Sequence, residues 1–368
     1  MRKLLSLIVS VLILWASVYP AAAEGEIFVS ARAAVLMEAS TGEIVFSKDG
    51  NTRMPMASTT KIMTALVALE NGDLQAPVRI AEEAVGVEGS SVYLTAGETL
   101  TLEELLYALL LESANDAAAA IAYAVSGSIE AFSDAMNAKA AELGLDDTHF
   151  TNPHGLDNEE HYTTAKDLAK LAIHAMHNPD FARIVSTYKK TIPLKDGEGT
   201  RLLLNHNRLL KQYTDVVGVK TGFTKRSGRC LVSAAEKDGV RLVAVTLNAP
   251  DDWQDHRTML DYGFSQFHMV HLAENGEYTW EITCTAAKDG KLTVTNTDSL
   301  SFVCPGEPEI THVVEAPHLV FPPIAAGDVI GTVRFFNHGR EVGSLPLTAV
   351  ESVEMPTDER GFFEKLFG

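Results

Sequence analysis

The chain has 368 residues, 46% of them hydrophobic, and a formal net charge of −19. That is long enough for two domains, or for one large domain with an appendage, and as apolar as an ordinary globular protein. So acidic a chain lacks the basic face that phosphates need, which argues against a nucleic-acid partner; otherwise the charge speaks to solubility.

Residues 1–23 read as a secretory signal. Arg2 and Lys3 form the positive start, an apolar run follows, and small residues at Ala21 and Ala23 place cleavage after Ala23. The rival is an uncleaved anchor, for which the apolar run is short. Residues 31–49 read as a hairpin turning at Ser40–Thr41–Gly42. A largely apolar helix then opens near Ser58 and ends at Gly72, in the C-terminal capping place. Thr101 and Glu104 form a capping box at the head of a second helix. An alanine-rich helix follows from Asp116, then another over "IEAFSDAMNAKAAELG". Helices dominate from about residue 58 to residue 177.

Near Asp215 the pattern changes. "DVVGVKTGFT", "GRCLVSAAEK" and "VRLVAVTLNAP" are strand-like, with a hairpin turn at Lys237–Asp238–Gly239, and "DHRTMLDYGFSQF" returns to helix. The expected fold is α/β (α+β): an antiparallel sheet, built from strands at both ends, flanked by helices and carrying a helical subdomain over residues 24–275. Residues 276–355 carry short strands between Gly, Pro and Asp turns and read as a small all-β domain without clustered polar chemistry. In the tail, 356–368, Phe362, Phe363, Leu366 and Phe367 share one helical face; weak membrane-surface contact and a frayed end are the two readings. Cys230 reads as a buried strand thiol. Cys284 and Cys304 share the C-terminal segment and can be either bridged or free.

Chemistry concentrates in three short motifs. Ser58 and Lys61 stand at i and i+3, so both project from one face at the head of a helix. A serine hydroxyl becomes a nucleophile when a base takes its proton, and lysine serves if burial or nearby positive charge destabilises its ammonium. The helix head adds free backbone N–H groups that can hold an oxyanion. Alone the pair is weak: a capping serine with a solvated lysine is commoner, and a second Ser-x-x-Lys occurs at Ser186–Lys189. Ser113-Ala114-Asn115 lies in the break between two helices, where capping is the bland alternative. Lys220-Thr221-Gly222 ends a strand, where glycine permits close approach of a substrate backbone. Each motif sits in the context its role requires, and their order is that of the penicillin-binding-protein and serine β-lactamase signature set.

With these motifs, "LLLESANDAAAAIA", "FTNPHGLD" and "HYTTAKDLA", the chain resembles the low-molecular-mass penicillin-binding proteins: serine-type D-alanyl-D-alanine carboxypeptidases of peptidase family S11. The resemblance runs from about Ala31 to the C-terminus. It implies the penicillin-recognising, transpeptidase-like fold, with the site between helices and sheet. It also implies roles. Ser58 attacks the penultimate D-alanine carbonyl and Lys61 takes its proton. Ser113 relays a proton towards the leaving D-alanine, and Asn115 holds the substrate amide. Lys220 and Thr221 bind the terminal carboxylate, Gly222 lets the extended peptide lie along the strand, and the N–H groups of Ser58 and Phe223 hold the oxyanion. Phe223 departs from members that carry histidine there, which puts substrate fit in doubt rather than activity. The implied partners are peptidoglycan stem peptides ending in D-Ala-D-Ala, with β-lactams as covalent inhibitors, on the outer face of the cell membrane or in the wall. Neither metal nor cofactor is implied.

Two rival classes are weighed. A serine β-lactamase shares the acylation machinery, but no segment resembles its Glu-containing deacylation loop; Glu159 and Glu160 sit in carboxypeptidase-like surroundings. A non-catalytic wall-binding protein should have lost one of the five polar motif residues, and all are present. A metallopeptidase is weaker still: His174 with His177, and His268 with His271, lack the carboxylate of His-Glu-x-x-His, and His154 with Asp157 read as loop-stabilising residues.

Overall fold

The computed structural model describes residues 27–194 and 199–355. Residues 1–26 and 356–368, on which the expectations of secretion and membrane-surface contact rest, lie outside the described residues.

Strands β1 (Ala33–Glu38) and β2 (Ile44–Lys48) form the expected N-terminal hairpin. Helix α1 (Lys61–Asn71) is preceded by a 3₁₀ turn, Ala57–Thr60. A small hairpin, β3 (Pro77–Arg79) and β4 (Thr99–Thr101), leads into α2 (Leu102–Leu111), α3 (Asn115–Ser126) and α4 (Ile129–Glu142). The helical block closes with α5 (Ala165–Met176) and α6 (Pro179–Ser186). Then come the hairpin β5 (Lys189–Pro193) and β6 (Thr200–Leu204), and the short α7 (Leu209–Gln212). Strands β7 (Val216–Thr224), β8 (Gly228–Lys237) and β9 (Val240–Leu247) and helix α8 (Asp252–Gln266) complete this part.

The five-stranded sheet has the order β2-β1-β9-β8-β7 with every pair antiparallel, so strands from both ends share one sheet. Strand alternation sorts β1 between two cores. Ala33, Val35 and Met37 pack with the helical block, whereas Ala34 and Leu36 pack beneath α8 with Met259 and Leu260. All six residues of β1 are buried, which suits a central strand covered on both faces. Burial of one such leucine is worth about 1.5–3 kcal/mol.

Helix α1 is buried on every side from Lys61 to Ala68, so it forms the axis of the helical block. That explains an apolar helix with a lysine at its head. The capping box of Thr101 and Glu104 is present. Gly72 does occupy the cap of α1, but in an extended conformation rather than a left-handed one; a Cβ there would fall 2.4 Å from Leu102 Cδ2. Close packing, not left-handed geometry, is what requires the glycine.

Beyond α8 a further strand precedes residue 276. Strand β10 (Phe267–Ala273) pairs with β13 (Leu300–Pro305), while its first residue, Phe267, packs in the core beneath α8. Before β13 come β11 (Thr279–Cys284) and β12 (Lys291–Thr295). After it come β14 (Ile310–Glu315), β15 (Leu319–Val320), β16 (Val329–Asn337) and β17 (Arg340–Ala349). A six-stranded sheet, β14-β16-β17-β12-β11-β15, encloses a third core around Leu292, Val294, Phe335 and Leu347. Cys284 lies in this sheet and Cys304 in the two-stranded one. Both are buried and free, which closes the bridged alternative. His268 and His271 sit on β10, where an i, i+3 pair points to opposite faces. Ser186 ends α6 and Lys189 starts β5, so the second Ser-x-x-Lys shares no helix face.

Candidate active site

The nucleophile turn is built by its own threonines. Thr59 Oγ1 donates to Met56 O at 2.7 Å and Thr60 Oγ1 donates to Ala57 O at 2.8 Å, which winds residues 57–60 tightly ahead of α1. Ala57, the residue before Ser58, has φ +48, in the left-handed region that alanine avoids. Such a conformation persists only where its surroundings impose it.

Lys61 is fully buried one turn on. Its Nζ lies 2.9 Å from Ser58 Oγ, 2.7 Å from Asn115 Oδ1 and 2.5 Å from His154 O. Burial, with Lys220 adding to it, lowers its pKa well below the ordinary lysine value, against a smaller opposing pull from Asp116. A neutral amine has two N–H donors and one lone pair. The carbonyl oxygens of Asn115 and His154 can take the two donors, which leaves the lone pair for the Ser58 hydroxyl proton.

The Ser-x-Asn motif bridges the two lysines. Asn115 accepts from Lys61 and donates through Nδ2 to Glu88 O at 2.6 Å. Ser113, at φ +61 between α2 and α3, accepts from Lys220 Nζ at 3.1 Å. Lys220 Nζ also donates to Thr221 O at 2.8 Å, and burial pushes its pKa down to about 7. Asn115 is thus tied to the base and to the Glu88 loop.

Strand β7 is the edge strand of the central sheet, and Gly222 brings it against the nucleophile turn. A Cβ on Gly222 would lie 3.0 Å from Ser58 N and 3.1 Å from Thr59 N. Phe223 is 65% exposed at the rim. Ser58, Ser113, Thr221, Gly222 and Phe223 line one cleft of about 310 Å³. Lys61, Asn115 and Lys220 stand behind it, buried.

The cleft also holds residues that the motifs did not single out: Ser90, His206, Arg208, Arg229, Asp252 and Trp253. Arg229 faces Phe223 across the β7–β8 ladder, chelates Asp252 Oδ1 at 2.7 and 3.0 Å, and lies over the Trp253 ring. The hairpin register alone places it there. His206 Nε2 is 3.2 Å from Glu112 Oε2, and burial and Lys220 push its pKa down. No residue pattern marks His206 or Arg208. The "NPHGLD" loop supplies carbonyls rather than ligands: Pro153 O accepts from Thr64 and His154 O from Lys61, while Asp157 accepts from Thr224.

Three imidazoles are kept neutral chiefly by burial: His154, lowered to about 4, and His161 and His256, each lowered to about 3. Unfolding returns each to about 6.5, so between these limits the unfolded chain binds more protons. Their contribution to stability is therefore complete above about 6.5 and falls as pH is lowered towards the folded values. Thermal unfolding midpoints should drop steadily between about pH 6.5 and about pH 4. A midpoint that stays level there would mean the three rings are solvated.

Comparison with known proteins gives the family. A family model described as D-alanyl-D-alanine carboxypeptidase matches residues 20–251. The carboxypeptidase DacF of Bacillus subtilis is 33% identical over 336 residues, covering 88% of this chain and 86% of that protein. DacC of Escherichia coli is 29% identical over 364 residues, 92% of this chain and 87% of that one. Among solved structures, penicillin-binding protein 5 from Haemophilus influenzae superposes with a TM-score of 0.66 at 26% identity, covering 90% of this chain and 99% of that one.

Proposed function

The chain belongs to the D-alanyl-D-alanine carboxypeptidase family, a family of serine hydrolases, and from that premise we propose how its residues divide the work. The observation that carries the reading is the buried Lys61 amine 2.9 Å from Ser58 Oγ. Ser58 Oγ attacks the penultimate D-alanine carbonyl as its proton passes to Lys61 Nζ. The new C–O bond makes a tetrahedral oxyanion, which the N–H groups of Ser58 and Phe223 receive; each such donor is worth roughly 3–4 kcal/mol. The C–N bond then breaks, and the leaving amine takes the proton that Lys61 received, relayed through Ser113, whose hydroxyl Lys220 holds. Lys220 and Thr221 attract the terminal carboxylate, with Asn115 keeping Lys61 in place as well as facing the peptide. Gly222 and the free edge of β7 let an extended stem peptide pair along the strand. Water then adds to the acyl carbonyl, the bond from that carbon to Ser58 Oγ breaks, and Oγ takes up a proton from the attacking water through Lys61.

The substrate is peptidoglycan and β-lactams are acylating mimics of it, as the penicillin-binding relatives imply. With purified protein, a peptide ending in D-Ala-D-Ala should lose one D-alanine per turnover, and a chromogenic cephalosporin should give a stoichiometric burst followed by slow release. Continuous fast cephalosporin turnover without D-alanine release would overturn the reading in favour of a β-lactamase.

Export is assigned to the leader 1–23, and weak membrane-surface contact to the tail from residue 356. The second domain is proposed to start at residue 267, ahead of the residue 276 expected from sequence, a reading that the pairing of β10 with β13 supports. A chain ending at Gln266 should keep β-lactam acylation and lose liposome binding, and removing residues 361–368 alone should also lose the liposome binding. A folded Gln266 chain that cannot be acylated would show that the β-rich domain helps to build the site.

A further inference from the structure

Behind Ser58 runs a line of hydrogen bonds whose direction is fixed at every step. Thr151 N donates to His161 Nδ1 at 3.0 Å, so that nitrogen carries the lone pair and Nε2 carries the proton. Nε2 lies 2.7 Å from Thr60 Oγ1, and Thr60 Oγ1 gives its own hydrogen to Ala57 O at 2.8 Å. His161 is 3% exposed, its ring edge-on to Phe150. Burial keeps it neutral, which preserves this single tautomer.

The line ends on a carbonyl that is pressed from the other side too. A Cβ on Gly155 would fall 2.0 Å from Ala57 O, so the loop backbone itself closes over that oxygen. Ala57 O and Ser58 N belong to one planar peptide unit and point in opposite directions. Fixing the carbonyl therefore fixes the aim of the Ser58 N–H. That N–H stands beside Gly222, where the cleft begins.

We propose that Thr60 and His161 are positioning residues for the reaction: they hold the Ala57–Ser58 peptide plane so that the Ser58 N–H points at the developing oxyanion. The inference rests on the reading that Ser58 is the nucleophile and one of the oxyanion donors. Neither Thr60 nor His161 touches substrate; the effect passes through the shared peptide. A donor misaimed in this way loses the part of its strength that depends on alignment with the oxyanion, not with the ground-state carbonyl.

The test compares Thr60→Val with Thr60→Ser, and His161→Leu with His161→Gln, using β-lactam acylation and D-Ala-D-Ala peptide hydrolysis in the full-length protein. Thr60→Val keeps the shape and removes the hydroxyl; Thr60→Ser keeps the hydroxyl. Per acylable site, Thr60→Val should acylate about 10²-fold more slowly, with kcat lowered and KM little changed, and Thr60→Ser should recover most of the rate. His161→Leu should be slowed similarly, and His161→Gln, which retains a donor for Thr60, should recover in part. The pH profile of kcat/KM should keep its shape in His161→Gln. A purely structural role would lower the number of acylable sites and the unfolding temperature without changing the rate at each site. If Thr60→Val acylates at the wild-type rate per site, or Thr60→Ser is as slow as Thr60→Val, the proposal is overturned. A shifted pH profile would overturn it as well, by assigning His161 a proton-transfer role. Ser58→Ala measured alongside separates the two readings: labelling that survives there removes the nucleophile assignment itself, whereas a dead Ser58→Ala beside an unimpaired Thr60→Val removes only the positioning role.

Discussion

Ser58→Ala is expected to lose all covalent labelling by a fluorescent penicillin and to release D-alanine at a rate lower by about 10⁶-fold, the scale of loss when a serine hydrolase is stripped of its nucleophile. The protein should stay folded. Ser58 Oγ lies 2.9 Å from Lys61 Nζ, and Lys61 retains two acceptors for its own N–H groups, Asn115 Oδ1 and His154 O. The change in unfolding free energy should therefore stay within about 1 kcal/mol. Stoichiometric labelling of the alanine variant would place the nucleophile elsewhere and end the mechanism.

Lys61→Met is the second large effect. Methionine fills the buried helix position without an amine, so the proton of Ser58 has no acceptor. A general base typically contributes about 10²–10⁴-fold, and acylation should fall by that range. The pH dependence gives an independent readout. Only the neutral amine can take the proton, so wild-type acylation should fall on the acid side of the folded Lys61 pKa. Burial has moved that pKa downwards, so the active form extends to lower pH than an exposed lysine would allow. In Lys61→Met the acid limb due to this residue should vanish and leave a slow, flatter profile. An unchanged acid limb in the variant would assign the titration to another group, with Lys220, lowered to about 7, the first to examine. Asn115 Oδ1 and His154 O would each lose a donor, so some loss of stability, about 1–3 kcal/mol for each acceptor left unpaired, accompanies the change.

What could be read from the residues was whatever is local in the chain. Ser58 and Lys61 are one helical turn apart, so their proximity follows from spacing alone. Strands β7, β8 and β9 announce themselves through β-branched and apolar runs broken by turn residues, and the Thr101–Glu104 box marks its helix outright. What could not be read depends on distant segments meeting. The Asn115 bond to Lys61 spans 54 positions, and the Lys220 bond to Ser113 spans 107. Nothing in either neighbourhood shows that Asn115 is already engaged. Strand β10 was missed for another reason: α8 ends at Gln266 and β10 starts at Phe267, with no glycine or proline between them to signal the change. Between residues 178 and 214 the elements are short, and a helix of four residues such as α7 has no period to detect. His161, which the structure sets behind the nucleophile turn, opens the segment "HYTTAKDLA", but nothing in that segment shows that it meets Thr60.

The place of β1 in the sheet governs when this molecule can fold. Ala33 pairs with Leu247 and Glu38 with Leu242, so the first strand of the chain waits for partners more than two hundred residues behind it. The helices between them close mostly local contacts and can form as soon as they emerge, but the sheet that carries Gly222 to Ser58 cannot. Until β9 arrives, β1 has only β2 beside it and presents a bare edge of unpaired backbone groups on a strand that is apolar from Ala33 to Met37. Loop closure on this scale is slow compared with helix formation. The catalytic cleft therefore waits for β9, and a chain cut between helix α1 and residue 240 carries the nucleophile turn without the sheet that makes it an active site.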